Sequence, residues 1–155
     1  MKAVETTPAE QRLTDELKPV IEGLGYKLVE VRAKRLKDGY AVHVVLHRDA
    51  GVTVDDCAEV HTTILPRIQI IEDEQDINLE VSSPGIDRVL KSPAEFGVFI
   101  GKGARVLKVA DGRWVGGIIT AYSRESVTLS RAGTDHTFDI SAIQKAKLDD
   151  TQEVE

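Results

Sequence analysis

The 155-residue chain reads as an α+β protein of two domains, a helix-strand-strand-helix-strand layer followed by a small all-β barrel. Three observations predict this. The first half carries two long stripes of helical period flanked by alternating strand patterns, the part after residue 103 carries only short alternating runs, and a Pro-Gly step, Pro84-Gly85, stands between them.

The first helix is expected to open at Thr7-Pro8-Ala9-Glu10. Thr followed three residues later by Glu forms a capping box, with proline at the first helical position. Leu13, Leu17, Val20, Ile21 and Leu24 form its apolar stripe; Pro19 predicts a kink, and Gly23 and Gly25 end it. Residues 26 to 35 and 40 to 48 read as strands around Lys37-Asp38-Gly39, a hairpin signal. Val29, Val31 and Ala33 should face inward against Val42, Val44 and Leu46. A second helix follows Thr53, whose hydroxyl caps it, with Asp55 and Asp56 at the positive end of the dipole. Its stripe is Cys57, Val60, Ile64, Ile68 and Ile71, and Pro66 predicts a kink or a restart. After the acidic connector 72 to 76, residues 76 to 83 make the third strand. One three-stranded sheet with both helices on a single face results.

Beyond the Pro-Gly step, Ser92-Pro93-Ala94-Glu95-Phe96 suggests a short helical turn. Strands are then expected over residues 104–110, 113–122, 126–131, 136–140 and 144–148, separated by Asp111-Gly112, 123–125 and 132–135. Five short strands in under fifty residues point to a small closed barrel, SH3-like or Sm-like, which hides sheet edges. The expected division is residues 1–83 for the α/β domain (1–6 disordered), 84–92 for a linker, 93–148 for the barrel and 149–155 for a disordered acidic tail.

Net charge is −6, which argues against a protein that coats nucleic acid by bulk attraction. Its distribution is uneven. Residues 1 to 92 hold 12 Lys and Arg against 17 Asp and Glu, residues 93 to 148 hold 8 against 5, and the last seven residues add four acids. An acidic front and a mildly basic back suggest two kinds of partner surface, a basic protein for one and RNA for the other; simple solubility is the alternative. No apolar run approaches the ~20 residues of a membrane span, the first residues lack the apolar core of a signal peptide, and one cysteine allows no internal disulfide. These features point to the cytoplasm.

Enzymatic chemistry finds little support. His43 and His47 sit four apart on a strand, ~13 Å along one face, too far for one zinc. Cys57 lies in an apolar stripe, where a free cysteine acts as a small hydrophobe. Ser82 and Ser83 lack a nucleophile elbow and a base. The acids 72 to 76 lack calcium-loop spacing, and phosphate-binding glycine loops are absent. No metal, cofactor or catalytic residue is assigned. What remains is binding: Arg88 and Lys91, with Lys102 and Arg105 at the barrel entrance, form the candidate contact set for phosphate or carboxylate. The alternative for Arg88 is a pairing with Asp87, or with an acid of the first domain, that clasps the two domains. Trp114 and Tyr122 flank Gly116 and Gly117 as a stacking platform, or else simply pack.

The segment Leu79-Glu80-Val81-Ser82-Ser83-Pro84-Gly85-Ile86-Asp87-Arg88 joins a strand to a turn. Pro84 presets φ, and Gly85 is expected to take the positive φ of a type II turn. Together with Gly25-Tyr26, the helix opening at residues 51–57 and the stretch from Phe96 to Gly101, it resembles the RimP family of ribosome maturation factors over roughly residues 10 to 148. Where that family continues Pro-Leu, this chain has Val89-Leu90. The resemblance implies the same two folds and a non-enzymatic, monomeric factor for assembly of the small (30S) ribosomal subunit. Its implied partners are the immature subunit, a small-subunit ribosomal protein near the decoding centre and neighbouring rRNA. Ser82, Ser83, Pro84, Gly85 and Asp87 would shape the hinge. An Sm-like protein-interaction adaptor without a ribosomal role is the rival reading.

Overall fold

The computed structural model describes residues 1, 5–85 and 88–152. It divides into two compact units, Glu5–Pro84 and Gly85–Glu155 together with Met1–Val4.

In the first unit, α1 (Pro8–Gly23) begins at the expected capping box. The Glu10 N–H donates to Thr7 Oγ1 at 3.1 Å, and the Thr7 N–H donates back to Glu10 Oε1 at 2.9 Å. The same carboxylate does a second job. Glu10 is only 4% exposed, and its Oε2 accepts the Ala33 N–H of the neighbouring strand at 2.9 Å, with Arg32 at 3.7 Å. Burial works to raise the Glu10 pKa, but the Thr7 and Ala33 donors and the Arg32 charge outweigh it and hold the group below its ordinary 4.5. α1 runs through Pro19, and Leu24, expected in its buried stripe, is instead the exposed C-cap residue.

β1 (Lys27–Leu36) and β2 (Gly39–His47) pair antiparallel; α2 (Val54–Ile71) then carries the chain to β3 (Ile77–Ser82), which lies parallel to β2. The sheet order is β1-β2-β3. Both helices cover one face. Leu13, Leu17 and Ile21 of α1 and Val60, Ile64 and Ile68 of α2 close over Val31, Val42, Val44, Leu46 and Leu79 in a single core. α2 carries its own reciprocal cap between Thr53 and Asp56 and passes through Pro66 without restarting.

Two local expectations change. A register shift between Leu28 and Glu30 places a bulge at Val29, so Leu28 packs on the core face that Val29 was expected to occupy. Gly39 belongs to the strand rather than the turn, being the register partner of Leu36. Its φ is +140°, and a Cβ there would stand 2.3 Å from the Asp76 carbonyl oxygen. The glycine is required by the close approach of the chain entering β3, whose Asp76 carbonyl accepts the Tyr40 N–H at 2.8 Å.

The second unit holds α3 (Glu95–Val98) and five strands: β4 (Gly103–Lys108), β5 (Trp114–Tyr122), β6 (Ser126–Arg131), β7 (Thr134–Asp139) and β8 (Ile143–Leu148). All pairings are antiparallel, in the order β7-β6-β5-β4-β8. The sheet is barrel-like, and its ladder stays open between β7 and β8, which a 3-10 turn at Ile140–Ala142 connects. The expected full closure is thus not reached. Phe96, Phe99, Val106, Ile119, Val127, Leu129 and Ile143 are its most buried large apolar side chains. β7 starts two residues earlier than the sequence suggests, because the reversal needs only Ala132 and Gly133, at φ +52° and +74°. Two successive positive φ values mark a type I′ hairpin, whose twist matches the strands it joins.

Residues 149–152 of the expected disordered tail are ordered, and 153–155 lie outside the described residues. Asp149 donates its N–H to the Gly103 carbonyl at 2.9 Å, and its carboxylate receives the Thr151 N–H at 3.0 Å and the Gln152 amide at 3.0 Å. Residues 149–152 thereby form a turn seated on the glycine surface of β4 and β5, with the Gln152 side chain against Gly103 and Gly116.

Because Glu10 is depressed in the folded state, its contribution is full above the unfolded value near pH 4.5 and is lost as pH falls through the folded value. Glu10→Gln should cost the first unit about 1–3 kcal/mol at neutral pH and flatten the loss of its stability as pH falls below the ordinary 4.5, read by urea unfolding; an unchanged acid slope would contradict the assignment. At the hairpin, Ala132→Asn should raise stability by up to about 1 kcal/mol, since asparagine tolerates the left-handed region better than alanine. A lowered melting temperature would refute the turn type.

Candidate binding surface on the second unit

The junction segment is held from both ends. The β3 residue Ser82 meets His43 Nε2 through its hydroxyl at 2.7 Å, while on the far side the Arg88 N–H donates to the Gly85 carbonyl at 3.2 Å. Ile86 and Asp87 lie outside the described residues, and with them the type II turn expected around Pro84-Gly85 and any contribution of Asp87 to the hinge.

After the turn the chain becomes an added strand segment. Val89 bridges Lys147 of β8; the Leu90 N–H donates to the Ala146 carbonyl at 2.9 Å, and the Leu148 N–H donates to the Arg88 carbonyl at 2.8 Å. Alternation then sends Arg88 and Leu90 to one side and Val89 to the other. Leu90 is buried and Val89 is exposed. The two bonds around Val89 use the N–H groups of Leu90 and Leu148 and not its own, so the proline that the resembling family carries here would cost neither.

Arg88 therefore points into the second unit. Its Nε donates to Glu95 Oε1 at 2.7 Å, with the two side chains 10% and 4% exposed. The other oxygen of Glu95 accepts the Lys91 N–H at 2.9 Å and the Ser92 N–H at 3.2 Å. A buried carboxylate needs such a donor set, and here it draws one from the segment leading into α3. Glu95 is a partner that neither sequence reading of Arg88 named.

The remaining candidates do not converge on Arg88. The Lys91 side chain is exposed on the segment that Glu95 holds, and Lys102 sits in the turn before β4, its N–H donating to the Phe99 carbonyl at 2.9 Å. Arg105 belongs to a different setting, the outward face of β5, β4 and β8. Cross-strand register puts Trp114, Leu107 and Lys145 in one row, and Gly116, Arg105, Lys147 and Val89 in the next. The Arg105 guanidinium lies over the Trp114 ring, 5.1 Å from its centroid, and its buried Nε has no hydrogen-bond partner among the described residues. Trp114 is 41% exposed. The Asp149 carboxylate, held below its usual range by the Thr151 and Gln152 side chains and then by Arg105, closes one end of the face.

Tyr122 does not share this face. It packs on Phe96 with ring centroids 6.3 Å apart and covers Gly97, so the stacking pair suggested by sequence is split between a core contact and an exposed ring. Lys145 and Lys147 were missed as candidates. Their i, i+2 spacing in a strand places them on one face, a signal that depends on knowing the strand's phase.

In the first unit, several polar side chains are structurally engaged. Arg48 stacks over Tyr26 at 4.7 Å and donates to Asp56 at 2.8 Å, tying the end of β2 to the start of α2. His47 meets Asp49, and His61 Nε2 meets the Leu79 carbonyl. Burial and the neighbouring Asp56 push the Cys57 thiol up, the opposite of nucleophile activation.

Arg88→Ala should destabilise the second unit by about 3–5 kcal/mol, because it leaves the buried Glu95 charge without its ionic partner. The double variant Arg88→Ala/Glu95→Gln should lose less than the sum of the single changes. Chemical unfolding measures both, and a loss below ~1 kcal/mol for Arg88→Ala would show that solvent screens the pair.

Residues 16–87 match the family model of the RimP N-terminal domain. The match covers the three-stranded sheet, α2, the second half of α1 and the junction as far as residue 87. With this domain in place, the chain resembles the RimP family, a family of ribosome maturation factors.

Proposed function

We propose that this chain is a non-enzymatic ribosome maturation factor that binds the immature small (30S) ribosomal subunit in the cytoplasm, as a monomer. The RimP N-terminal domain match carries this reading. Charge supports a division of labour. Residues 5–84 hold 9 Lys and Arg against 16 Asp and Glu, whereas residues 88–148 hold 10 against 5. The acidic unit suits a basic ribosomal protein, taken to be one near the decoding centre, and steers encounter at long range. The basic unit suits neighbouring rRNA, through Arg105 with Lys91 and Lys102. Arg88 acts as a positioning residue, since its side chain is committed to Glu95. Binding of this kind needs surface and charge, not a nucleophile or a metal.

The Sm-like adaptor reading draws on one observation: β7 ends the sheet order with a single strand neighbour, leaving an edge that could accept another strand. Solution mass separates the two. A ring or higher oligomer favours the adaptor.

The purified chain should co-sediment with free small subunits at moderate salt and be released as salt is raised, as charge-dominated contacts are. Failure to co-sediment with small subunits at any salt would overturn the assignment.

A further inference from the structure

We propose that the outward face of β5, β4 and β8 is a binding site for single-stranded RNA, with Trp114 as a base-stacking platform and Arg105, Lys145 and Lys147 as its phosphate contacts. This deepens the ribosomal reading, which supplies the RNA, but the site stands on its own geometry.

The aromatic ring and the cations come from three adjacent strands in register. Trp114 on β5 opposes Leu107 on β4, which opposes Lys145 on β8; in the next row Arg105 on β4 opposes Lys147 on β8. Directly opposed residues project from the same face of a sheet, and β5 and β8 lie two strand spacings apart, about 10 Å. One ring and three positive groups therefore share a patch of nucleotide dimensions. Glycine at position 116, opposite Arg105, has no side chain, and the Gln152 side chain lies over it and bounds the patch on that side.

The exposure of Trp114 is the telling feature. A tryptophan placed to fill a core would be buried, as Phe96 and Phe99 are, whereas this residue is 41% exposed. Arg105 lies over the ring at 5.1 Å. That contact restrains the indole before any ligand arrives, which lowers the ordering cost of stacking a base on it. The Arg105 Nε, buried and unpartnered among the described residues, is an unused donor within the patch. Exposed Val89, next to Lys147 in the same row, extends the apolar part of the surface.

An unpaired base fits this arrangement better than a duplex does. Duplex bases are stacked on one another and unavailable to a single protruding ring, while splayed bases stack readily on aromatic side chains. An acidic peptide would engage the three cations but leave the exposed ring without a matching group. The inner Asp149 carboxylate is already bonded within its own turn by Thr151 and Gln152, so it closes the patch at one end without filling it.

Trp114 is the single tryptophan of the chain, so its emission reports the site directly. Titrating the full chain with a short single-stranded oligoadenylate at low salt should give saturable quenching. The affinity should fall with salt at a log-log slope of about −2, the value for three neutralised phosphates on a single strand. Followed by anisotropy of labelled RNA, Trp114→Ala should weaken binding roughly tenfold or more and Trp114→Phe should recover most of it. Lys145→Gln/Lys147→Gln should flatten the salt slope, with circular dichroism melting unchanged. Equal quenching by a duplex or by polyglutamate would overturn the proposal, the latter in favour of an acidic protein; so would unaltered affinity in Trp114→Ala. A chain that ignores the oligonucleotide yet sediments with small subunits sinks this site and leaves the ribosomal reading standing. The reverse result keeps the site and removes the ribosome.

Discussion

The carboxylate of Glu95 organises the second unit from inside. At 3% exposure it needs hydrogen-bond donors in place of water, and it gathers three: the Arg88 side chain and the backbone N–H groups of Lys91 and Ser92. Meeting that demand turns residues 88–92 from a tether into a fitted part of the sheet edge and sets the start of α3. It also decides which way the segment faces. With Arg88 and Leu90 drawn inward, Val89 must face out beside Lys147.

The first unit repeats the device with Glu10. Its carboxylate caps α1 through Thr7 and accepts an N–H from β1 at Ala33, so one buried acid joins a helix start to a strand. Among the described residues these two glutamates are the buried charged side chains. In each unit apolar packing supplies the bulk of the driving force, while the buried acid specifies which backbone groups meet. Losing either would be felt as misregister of the segment it holds as well as lost energy.

Much of the fold was legible. The capping boxes at Thr7 and Thr53, the leucine and isoleucine stripes of α1 and α2, and the alternation from Val42 to Leu46 each state local structure directly, because cap chemistry and periodicity are local properties. The misses have local causes of another kind. The bulge at Val29 swaps inward and outward residues without altering composition, and Ala132 at a positive φ conceals a two-residue turn that asparagine or glycine would have advertised. Of the proposed contact residues, only Arg105 lies on the basic face. Arg88 looked exposed because charge beside a Pro-Gly step usually is, and its acidic partner seven residues on was read only as part of a helical turn.

By itself the sequence determined the two-part architecture, the helix starts, the resemblance to RimP and the opposite charge of the two halves, all of which reside in short patterns or in sums over residues. Only the tertiary structure decided that Arg88 is an internal ion-pair partner, that Trp114 and Tyr122 part company, and that Arg105, Lys145, Lys147 and Trp114 share one face. Those outcomes depend on strand register between residues as far apart as Val89 and Lys147. A one-residue slip in that register would invert every one of them, and no local pattern records it.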